Sequence, residues 1–512
     1  MTISHLDMSI ADVNSEFFGV KRLLLMENAG SHVARVVQGL LDDKRTGVLI
    51  CCGSGGNGGD GFVAARQLAR FTTVKVLLLG HPSRIRSKEA IYNWKILERL
   101  HMSLEKHVVT DSRDLPDRLF EPSMIIVDAL LGTGIQGRLK EPVSSCIDMI
   151  NLTRKRGALV VSVDVPSGLS RAGVVEDKSV IPDYTISLHA VKAGTESFNS
   201  KNVVANIGIP PEAEVVTGPG DLVPLKSKKD WARKGDAGRV LIIGGSAHYS
   251  GAPALAAMAA LRTGADLVTV MAPTAVSNVI RNVSPSIIVR PYPSDFLSSD
   301  EIPVVEELVE RNDTVLIGPG LSTEPGSELA IRGILALPAM SSRNIVIDAD
   351  GLKLIKPELL TAKTILTPHA GEFKMLSGTE LPSENGNISE RIKKIREVAA
   401  NTPATFLVKG HHDVICCGAR WKVNTTGDPW MTAGGTGDVL AGITASMCGN
   451  IYDVFRAAVA AAYVCGLAGM ITKHLGRPEM PVTLIDSIPL AINESRKFIR
   501  GEKNILQEIY GL

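Results

Sequence analysis

The 512-residue sequence lacks an excess of charge of either sign. Lys and Arg total 55 against 54 Asp and Glu, which leaves a formal net charge of +1. A protein surface that binds nucleic acid or anionic lipid usually carries many more basic than acidic residues. We therefore expect no nucleic-acid partner and no membrane partner, and any anionic ligand must be held by local geometry.

Cysteine is scarce, and its spacing indicates neither disulfides nor zinc. Seven cysteines occur without a Cys-x-x-Cys pair, and Cys51, Cys52, Cys416 and Cys417 lie in apolar, strand-like runs. Such residues behave as small buried hydrophobic side chains. The pattern argues against a disulfide framework or a zinc site and is typical of a reducing compartment.

Long apolar segments are also missing. Residues 1–18 contain no basic stretch followed by an apolar core, so we expect no signal peptide and a cytoplasmic location. The longest uncharged run, Ala457 to Thr472, is shorter than the roughly 18–20 residues that a membrane span needs. Its many Ala and Gly residues predict a tightly packed interior helix.

Two series of Val-, Ile- and Leu-rich runs alternate with helical patterns. The chain is longer than one hydrophobic core usually organises, so two domains are expected. Near-continuous apolar runs between helices predict an α/β fold, with parallel sheets covered on both faces and ligands at the carboxyl ends of the strands. The alternation lapses from Pro210 to Trp231, which places the domain boundary near residues 215–226.

A glycine-rich stretch, GSGGNGGDGF, lies between a predicted strand and a predicted helix. Six of the ten residues from Gly53 to Phe62 are glycine; Gly47–Cys52 predicts a buried strand, and Phe62–Arg70 has helical spacing. Glycine permits positive φ and lets the main chain approach a ligand. We interpret the stretch as a cradle for an anion, commonly a phosphate, at a helix N-terminus.

Two further clusters follow strands in the first half, VDALLGTGIQGR and VDVPSG, and we expect them to meet the glycine stretch in one crevice. Asn57, Asp128 and Ser167 offer oxygens suited to a hard monovalent or divalent cation. Asp164 is then available as an acid or base, although an Asp at a strand end also often caps a helix or closes a turn. No Walker A motif and no clean dinucleotide fingerprint is present, which disfavours a conventional nicotinamide dehydrogenase.

In the second half, the stretch TAGGTGDVLAG predicts a phosphoryl-transfer site. Main-chain amides before Asp438 would lie at a helix N-terminus and stabilise a transferring phosphoryl group, and Asp438 would act as general base. The alternative is a glycine-rich helix entrance capped by Asp438. Other strand ends place Lys409 against a nucleotide's phosphates or ribose, and His369 in a turn of its own.

These motifs together resemble a fused pair of domains, an NAD(P)H-hydrate epimerase domain followed by a nucleotide-dependent NAD(P)H-hydrate dehydratase domain. The most specific pieces are GGNGGDGF, DALLGTG, VDVPSG, GGSAHYSGAP, IGPGL, DADGL, LTPHAGEF, VKG and GGTGD. The resemblance covers nearly the whole chain. It implies two three-layer αβα domains, a Rossmann-like sheet in residues 1–215 and a ribokinase-like sheet in residues 226–512.

The resemblance also implies repair of hydrated NADH and NADPH, called NADHX and NADPHX. The first domain would interconvert the R and S hydrates, and the second would dehydrate the S form with ADP or ATP and Mg²⁺. Because hydroxide leaves poorly, the second site would phosphorylate the hydroxyl, and the ring nitrogen would then expel phosphate. We also expect a homo-oligomer.

Site residues follow from the resemblance, with Asp164 and Asp438 catalytic. Hydrate binding in the first domain is implied for Gly56, Asn57, Gly58, Gly59, Asp60, Gly132, Thr133, Gly134, Ile135, Gln136, Gly137, Arg138 and Asp164. A potassium ion would be held by Asn57, Asp128 and Ser167. Hydrate contacts in the second domain are implied for Gly320, His369 and Asp438. Nucleotide contacts are implied for Lys409, Gly410, His411, His412, Asp413, Gly435, Thr436 and Gly437.

Two positions depart from the family pattern, and two rival functions stay open. Gly56 stands where the family usually has asparagine, so one hydrogen bond to substrate is lost or supplied otherwise, and Ala370 stands where proline is usual. The first rival is a vitamin-precursor or sugar kinase with a regulatory first domain. The second is a non-catalytic scaffold whose first domain binds nucleotides or a protein.

Overall fold

The computed structural model describes residues 2–132, 134, 137–383, 386–476 and 480–511. The chain divides into two compact units, residues 1–211 and 212–512. The segment that we place at the domain boundary packs within the second unit: Thr217 N donates to Val423 O at 2.9 Å, and Asp221 forms a buried ion pair with Lys422 at 2.7 Å. Buried apolar and charged side chains hold this segment against the strand that contains Lys422 and Val423. An exposed linker would lack such contacts.

The first unit alternates strands and helices around one sheet. Its strands among the described residues are β1 (Thr2–Ile3), β2 (Gly47–Cys52), β3 (Val74–Leu79), β4 (Glu105–Val109), β5 (Met124–Ala129), β6 (Leu159–Val163), β7 (Tyr184–Leu188), β8 (Val191–Lys192) and β9 (Lys201–Ala205). Its helices there are α1 (His5–Phe17), α2 (Arg22–Gly39), α3 (Gly56–Leu68), α4 (Lys88–Arg99) and α5 (Val143–Lys155).

The main sheet of the first unit is parallel, in the order β4-β3-β2-β5-β6-β7-β9. Alternate residues of β2 face opposite layers: Leu49 packs in a core cluster with Ile147 of α5, whereas Ile50 lies under α3. Burial on both faces explains why the strand is apolar throughout. The strand order reverses between β2 and β5, and ligands of open α/β sheets bind at such a switch point.

The second unit has a larger sheet with one antiparallel edge. Its strands among the described residues are β10 (Arg239–Ile243), β11 (Leu267–Pro273), β12 (Ile287–Tyr292), β13 (Thr314–Ile317), β14 (Asn344–Ile347), β15 (Thr364–Leu366), β16 (Thr405–Val408), β17 (Asp413–Cys417) and β18 (Arg420–Asn424). The order is β12-β11-β10-β13-β14-β15-β16-β17-β18, parallel as far as β16. The α/β prediction is confirmed for both units.

Helices pack around this second sheet. Those among the described residues are α6 (Glu212–Val215), α7 (Gly251–Thr263), α8 (Thr274–Val283), α9 (Ile302–Glu310), α10 (Pro325–Leu335), α11 (Asp350–Leu354), α12 (Ala370–Ser377), α13 (Ile388–Ala399), α14 (Thr436–Asn450), α15 (Val454–His474), α16 (Val482–Ile499) and α17 (Leu506–Tyr510). By length and composition α15 is apolar enough to cross a membrane, but 89% of its most apolar window is buried inside the protein. It is the interior helix that its composition predicts.

Candidate active sites

The glycine-rich stretch of the first unit is the start of a helix and not an open turn. α3 begins at Gly56, earlier than the predicted start at Phe62, and no glycine in this fully described stretch has a positive φ. The glycines serve close packing: a Cβ added at Gly58 would lie 1.9 Å from the carbonyl oxygen of Gly53. Only at Gly55 and Gly56 would a Cβ meet open space. The expected main-chain cradle is therefore confined to the first turn of α3.

The three predicted cation ligands lie together behind this turn. The Asn57 amide donates to the carbonyl oxygens of Leu131 at 3.1 Å and Val163 at 2.9 Å. Ser167 Oγ donates to Asp128 Oδ1 at 2.5 Å and lies 3.2 Å from the same Leu131 oxygen. Asp128 is fully buried, and burial raises its pKa although hydrogen bonds from Ser167 oppose the shift. The group consists of oxygen donors with a single carboxylate.

The loop after β5 gives mixed support to the predicted phosphate cradle. A Cβ at Gly132 would lie 3.0 Å from Asn57 Oδ1, so this glycine is needed beside the asparagine. Gly137 has φ +76°, and its N–H donates to the Glu176 carboxylate at 3.2 Å, which leaves it unsuited to a second anion. Gly134 and Arg138 are exposed. Thr133, Ile135 and Gln136 lie outside the described residues.

Asp164 belongs to a buried group of charges at the end of β6. Its φ is +66°, a left-handed conformation that residues other than glycine rarely adopt. Asp164 Oδ1 forms an ion pair with the Nζ of Lys192, which is only 3% exposed. Burial raises the pKa of Asp60 on α3 well above its usual range, and the neighbouring charges of Asp164 and Asp12 add to the shift. Three carboxyl groups thus lie near one buried ammonium, and the partly exposed Arg22 also acts on Asp12.

Sequence reasoning missed two members of this group, Lys192 and Asp12. Lys192 lies in the short strand β8, after a predicted strand, and no motif marks it. Asp12 lies in α1 between Ala11 and Val13, both of which are buried. A charge between two buried apolar positions was a signal that the sequence offered, but it did not indicate which partners the fold would supply.

In the second unit, Asp438 lies in the first turn of α14 as the sequence predicts. Gly435 precedes the helix with φ +93°, so this glycine is required by backbone conformation. Burial raises the pKa of Asp438 to about 7; the negative charge of Asp348 adds to the shift and Lys409 opposes it. A carboxyl group with this pKa can both accept and release a proton near neutral pH.

Lys409 follows β16, and its ammonium group lies at the N-terminus of α14. The Nζ atom of Lys409 is 2.8 Å from Asp348 Oδ1, and a Cβ added at Gly437 would lie 3.4 Å from that Nζ atom. Asp348 is itself held by the Thr367 hydroxyl at 2.7 Å. The ammonium therefore adjoins the predicted phosphoryl site. The function of Asp348 was missed, although the sequence DADGL at a strand end was the available signal.

His369 caps α12 and also faces solvent. Its Nδ1 accepts hydrogen bonds from the N–H groups of Gly371 at 3.0 Å and Glu372 at 3.2 Å, so its Nε2 is left to carry the proton. Its side chain is 60% exposed. Gly320, with φ +68°, approaches Tyr249 so closely that an added Cβ would lie 2.9 Å from the tyrosine Cβ. Both predicted hydrate contacts thus lie at carboxyl ends of strands in this sheet.

The predicted nucleotide loop is a tight turn between β16 and β17. Asp413 Oδ1 accepts from Gly410 N at 3.2 Å, and Asp413 Oδ2 accepts from the buried amide of Asn424 at 3.0 Å. The Asp413 carboxylate thus closes the turn. The rings of His411 and His412 pack edge to face at 4.4 Å.

Both units match known protein families. A family model described as "YjeF-related protein N-terminus" matches residues 22–194, and one described as "NAD(P)H-hydrate dehydratase" matches residues 240–489. A solved Bacillus subtilis ADP/ATP-dependent NAD(P)H-hydrate dehydratase, co-crystallised with ATP and Mg²⁺, is 22% identical with a TM-score of 0.45 and covers 55% of this chain and 99% of its own.

Two proteins named "Bifunctional NAD(P)H-hydrate repair enzyme Nnr" resemble the chain over nearly its full length. The one from Pyrobaculum aerophilum is 42% identical over 507 residues, 96% of this chain and 98% of its own. The one from Methanothermobacter thermautotrophicus is 41% identical over 493 residues, 94% of each chain. This chain belongs to the family of bifunctional NAD(P)H-hydrate repair enzymes.

Proposed function

We propose that the chain restores hydrated NADH and NADPH, with an epimerase site in the first unit and a dehydratase site in the second. The observation that supports this most strongly is the N-terminus of α14. There Asp438, with a pKa raised to about 7, lies beside the ammonium of Lys409 in the first turn of the helix. A base and a cation at an anion-binding helix end are what phosphoryl transfer to a hydroxyl group requires.

The dehydratase reaction would use these groups in sequence. The hydroxyl oxygen of the hydrate attacks the terminal phosphoryl group of ATP while Asp438 takes the hydroxyl proton, and ADP leaves. Lys409 and the amides of Gly435 and Gly437 stabilise the negative charge that develops on the phosphoryl group during its transfer. The ring-nitrogen lone pair then forms a C=N bond as phosphate departs with the C–O electrons. Loss of a proton from the adjacent carbon restores the dihydronicotinamide.

Mg²⁺ would enter this site with the nucleotide. The carboxylates at the end of β14 are hard donors of the right kind, but Asp348 is paired with Lys409 and Asp350 with Lys353, each at 2.8 Å. The phosphates would therefore supply most of the ion's ligands, as is usual for Mg²⁺ at nucleotide sites. The ion would neutralise charge on the transferring group.

In the first unit, Asn57, Asp128 and Ser167 would hold K⁺, with the carbonyl oxygens of Leu131 and Val163 as neighbours. Among the described residues, no group of three or more His, Cys, Asp or Glu side chains could hold a metal ion. One carboxylate with neutral oxygens suits a monovalent cation better than a divalent one. The ion would supply fixed positive charge beside the hydrate's phosphates, with Asp164 as acid or base.

The test uses purified R and S hydrates with Mg²⁺ and either ADP or ATP, and follows the return of dihydronicotinamide absorbance. Wild-type protein should restore both forms. Asp438→Asn should restore neither, whereas Asp164→Asn should restore only the S form, so each variant is the control for the other. No return of absorbance, together with phosphorylation of a sugar or vitamin-precursor alcohol, would instead support the kinase.

A further inference from the structure

The described residues 2–21 lie outside the matched family stretch of residues 22–194, yet they lie against the proposed epimerase site. β1 pairs in parallel with β8, and this register places Ile3 opposite Lys192. α1 follows directly and brings Asp12 toward the Lys192–Asp164 ion pair, so that the charges of both residues act on Asp12. The N-terminal strand and helix are thus positioned against the buried charges.

The charges in this site do not balance if every group is ionised. Three carboxyl groups face one ammonium, and repulsion between buried like charges favours retention of a proton by at least one carboxyl. Lys192 pairs directly with Asp164 and also donates to the carbonyl oxygen of Leu188. Asp60 is only 6% exposed, and among the described residues no hydrogen-bond donor or cation pairs with its carboxyl group. Asp164 is the carboxylate, and Asp60 is the group that keeps its proton.

We propose that Asp12 and Lys192 are positioning residues of the epimerase site: Lys192 holds Asp164 as a carboxylate base, and Asp12 keeps Asp60 as the acid that faces the hydrate. This inference rests on the proposed epimerase function. The N-terminal segment then belongs to the active site and does more than complete the fold. Burial raises the pKa of Asp12 to about 6, so its charge, and with it the repulsion that Asp60 experiences, increases toward neutral pH.

The acid and base act on opposite faces of the hydroxyl-bearing ring carbon. Asp60 gives its proton to the departing hydroxyl as the C–O bond breaks and the ring-nitrogen lone pair forms a C=N bond, and water leaves. Another water adds to the opposite face, its proton passes to Asp164, and the C=N electrons return to nitrogen. One water leaves and one enters, and the proton returns from Asp164 to Asp60 before the next turnover.

The test compares the pH dependence of epimerisation in Asp12→Asn and Lys192→Met with that of wild type. Inversion of the R hydrate is measured by chromatography without nucleotide, so that the second site is silent. Other charged groups act on this site: His5 on α1 lies near Asp164, Arg22 on α2 lies near Asp12, and Arg171 after β6 acts on His5. They are unchanged in both variants.

The two variants should move the pH profile in opposite directions. Asp12→Asn removes a negative charge beside Asp60, lowers the pKa of Asp60 and should shift the alkaline limb about one unit toward acid. Lys192→Met removes the positive charge and should shift both limbs about one unit toward alkali. At pH 7 we expect kcat to fall about tenfold in Asp12→Asn and about 100-fold in Lys192→Met, with KM changed much less.

Lys192→Arg and Asp43→Asn are the matched controls. Because arginine retains the positive charge, Lys192→Arg should keep the pH profile of wild type, with a lower maximal rate of epimerisation. Asp43 is exposed on a loop, and its substitution should leave epimerisation unchanged. In water enriched in heavy oxygen, each inversion should place one heavy atom in the hydroxyl.

Several outcomes would overturn the inference. If the pH profile of Asp12→Asn matches that of wild type, Asp12 has a structural role only. Asparagine has nearly the same shape as aspartate, so a folding defect would not obscure this result. Retention of the original oxygen would exclude the proposed step. If instead wild-type protein does not invert the hydrate at all, the epimerase function itself fails. A thermal unfolding profile of the full chain that matches wild type shows independently that each variant is folded.

Discussion

The two sites use one arrangement of charges on two different backbones. In each unit a lysine–aspartate ion pair, largely shielded from solvent, lies beside a second aspartate on a helix that begins in a glycine-rich motif. These groups are Lys192 and Asp164 beside Asp60 in the first unit, and Lys409 and Asp348 beside Asp438 in the second. In both, burial raises the pKa of the unpaired aspartate while the lysine limits the rise.

The glycines that precede these two aspartates have different structural roles. In α14, Gly435 has φ +93° and lets the chain turn into the helix just before Asp438. In α3, the glycines lie within the helix and allow close contact with neighbouring main chain, such as that of Gly58 with the Gly53 carbonyl group. Asp60 lies in the second turn of this helix. Burial raises the pKa of Asp438 to about 7, which suits a base, and raises the pKa of Asp60 well above its usual range, which suits an acid.

Lys409→Met should strongly slow the reaction at the second site. It removes the cation at the α14 N-terminus, and we expect dehydratase kcat to fall about 10²–10³-fold, since one charge-stabilising group has that typical weight in a buried site. The acid limb should also move to higher pH, because Lys409 lowers the pKa of Asp438. The measurement is the S-hydrate rate against pH.

Lys393→Met is its control. Lys393 is exposed on α13 and should tolerate the change with no loss of rate. An unaltered rate in Lys409→Met would remove the lysine from the phosphoryl-transfer site and break the parallel with the first unit.

Gly58→Ala should strongly destabilise the first unit. Its Cβ would lie 1.9 Å from the Gly53 carbonyl oxygen, and main chain cannot yield as a side chain does, so we expect a loss of about 3 kcal/mol in the free energy of unfolding. Gly56→Ala, with open space around its Cβ, should change stability by less than about 0.5 kcal/mol. Denaturant unfolding of both variants checks this. Equal stability would contradict the packing role of the stretch.

Asp438→Asn should increase stability above neutral pH while it abolishes activity. The folded carboxyl group has a pKa of about 7 against 3.8 in the unfolded chain, so the folded state binds its proton more tightly. The free energy of unfolding should therefore fall as pH rises from about 4 to about 7 in wild type, and this fall should be smaller in the variant. The difference should reach about 4 kcal/mol at pH 8, at about 1.4 kcal/mol per pKa unit. If the free energy of unfolding depends on pH equally in wild type and variant, ionisation of Asp438 does not destabilise the folded state.

Ala370→Pro should have the smallest effect. Ala370 is the first residue of α12, where proline is favoured, and His369 before it has the extended ψ of 173° that a residue preceding proline needs. We expect a gain of about 0.5 kcal/mol in stability and unchanged dehydratase kinetics. A loss of activity would show that the turn around His369 must move during turnover.

Most of the fold could be predicted because buried parallel strands leave a clear signal in a single sequence. Runs such as Gly47–Cys52 and Leu267–Pro273 coincide with β2 and β11. β4 and β12 were missed because both are edge strands whose residues are largely exposed, so they lack a continuous apolar run. The start of α3 was missed because glycines contribute no apolar periodicity.

The sequence by itself determined the two α/β units, their strand-end motifs and the placement of Asp438 at a glycine-led helix start, because these depend on neighbours along the chain. Only the tertiary structure decided that Lys192 pairs with Asp164, that Lys409 pairs with Asp348 and that α1 reaches the first site. Such pairings join residues far apart in sequence. The energies that shift their protonation come from burial and from charges on other elements, which no local pattern records.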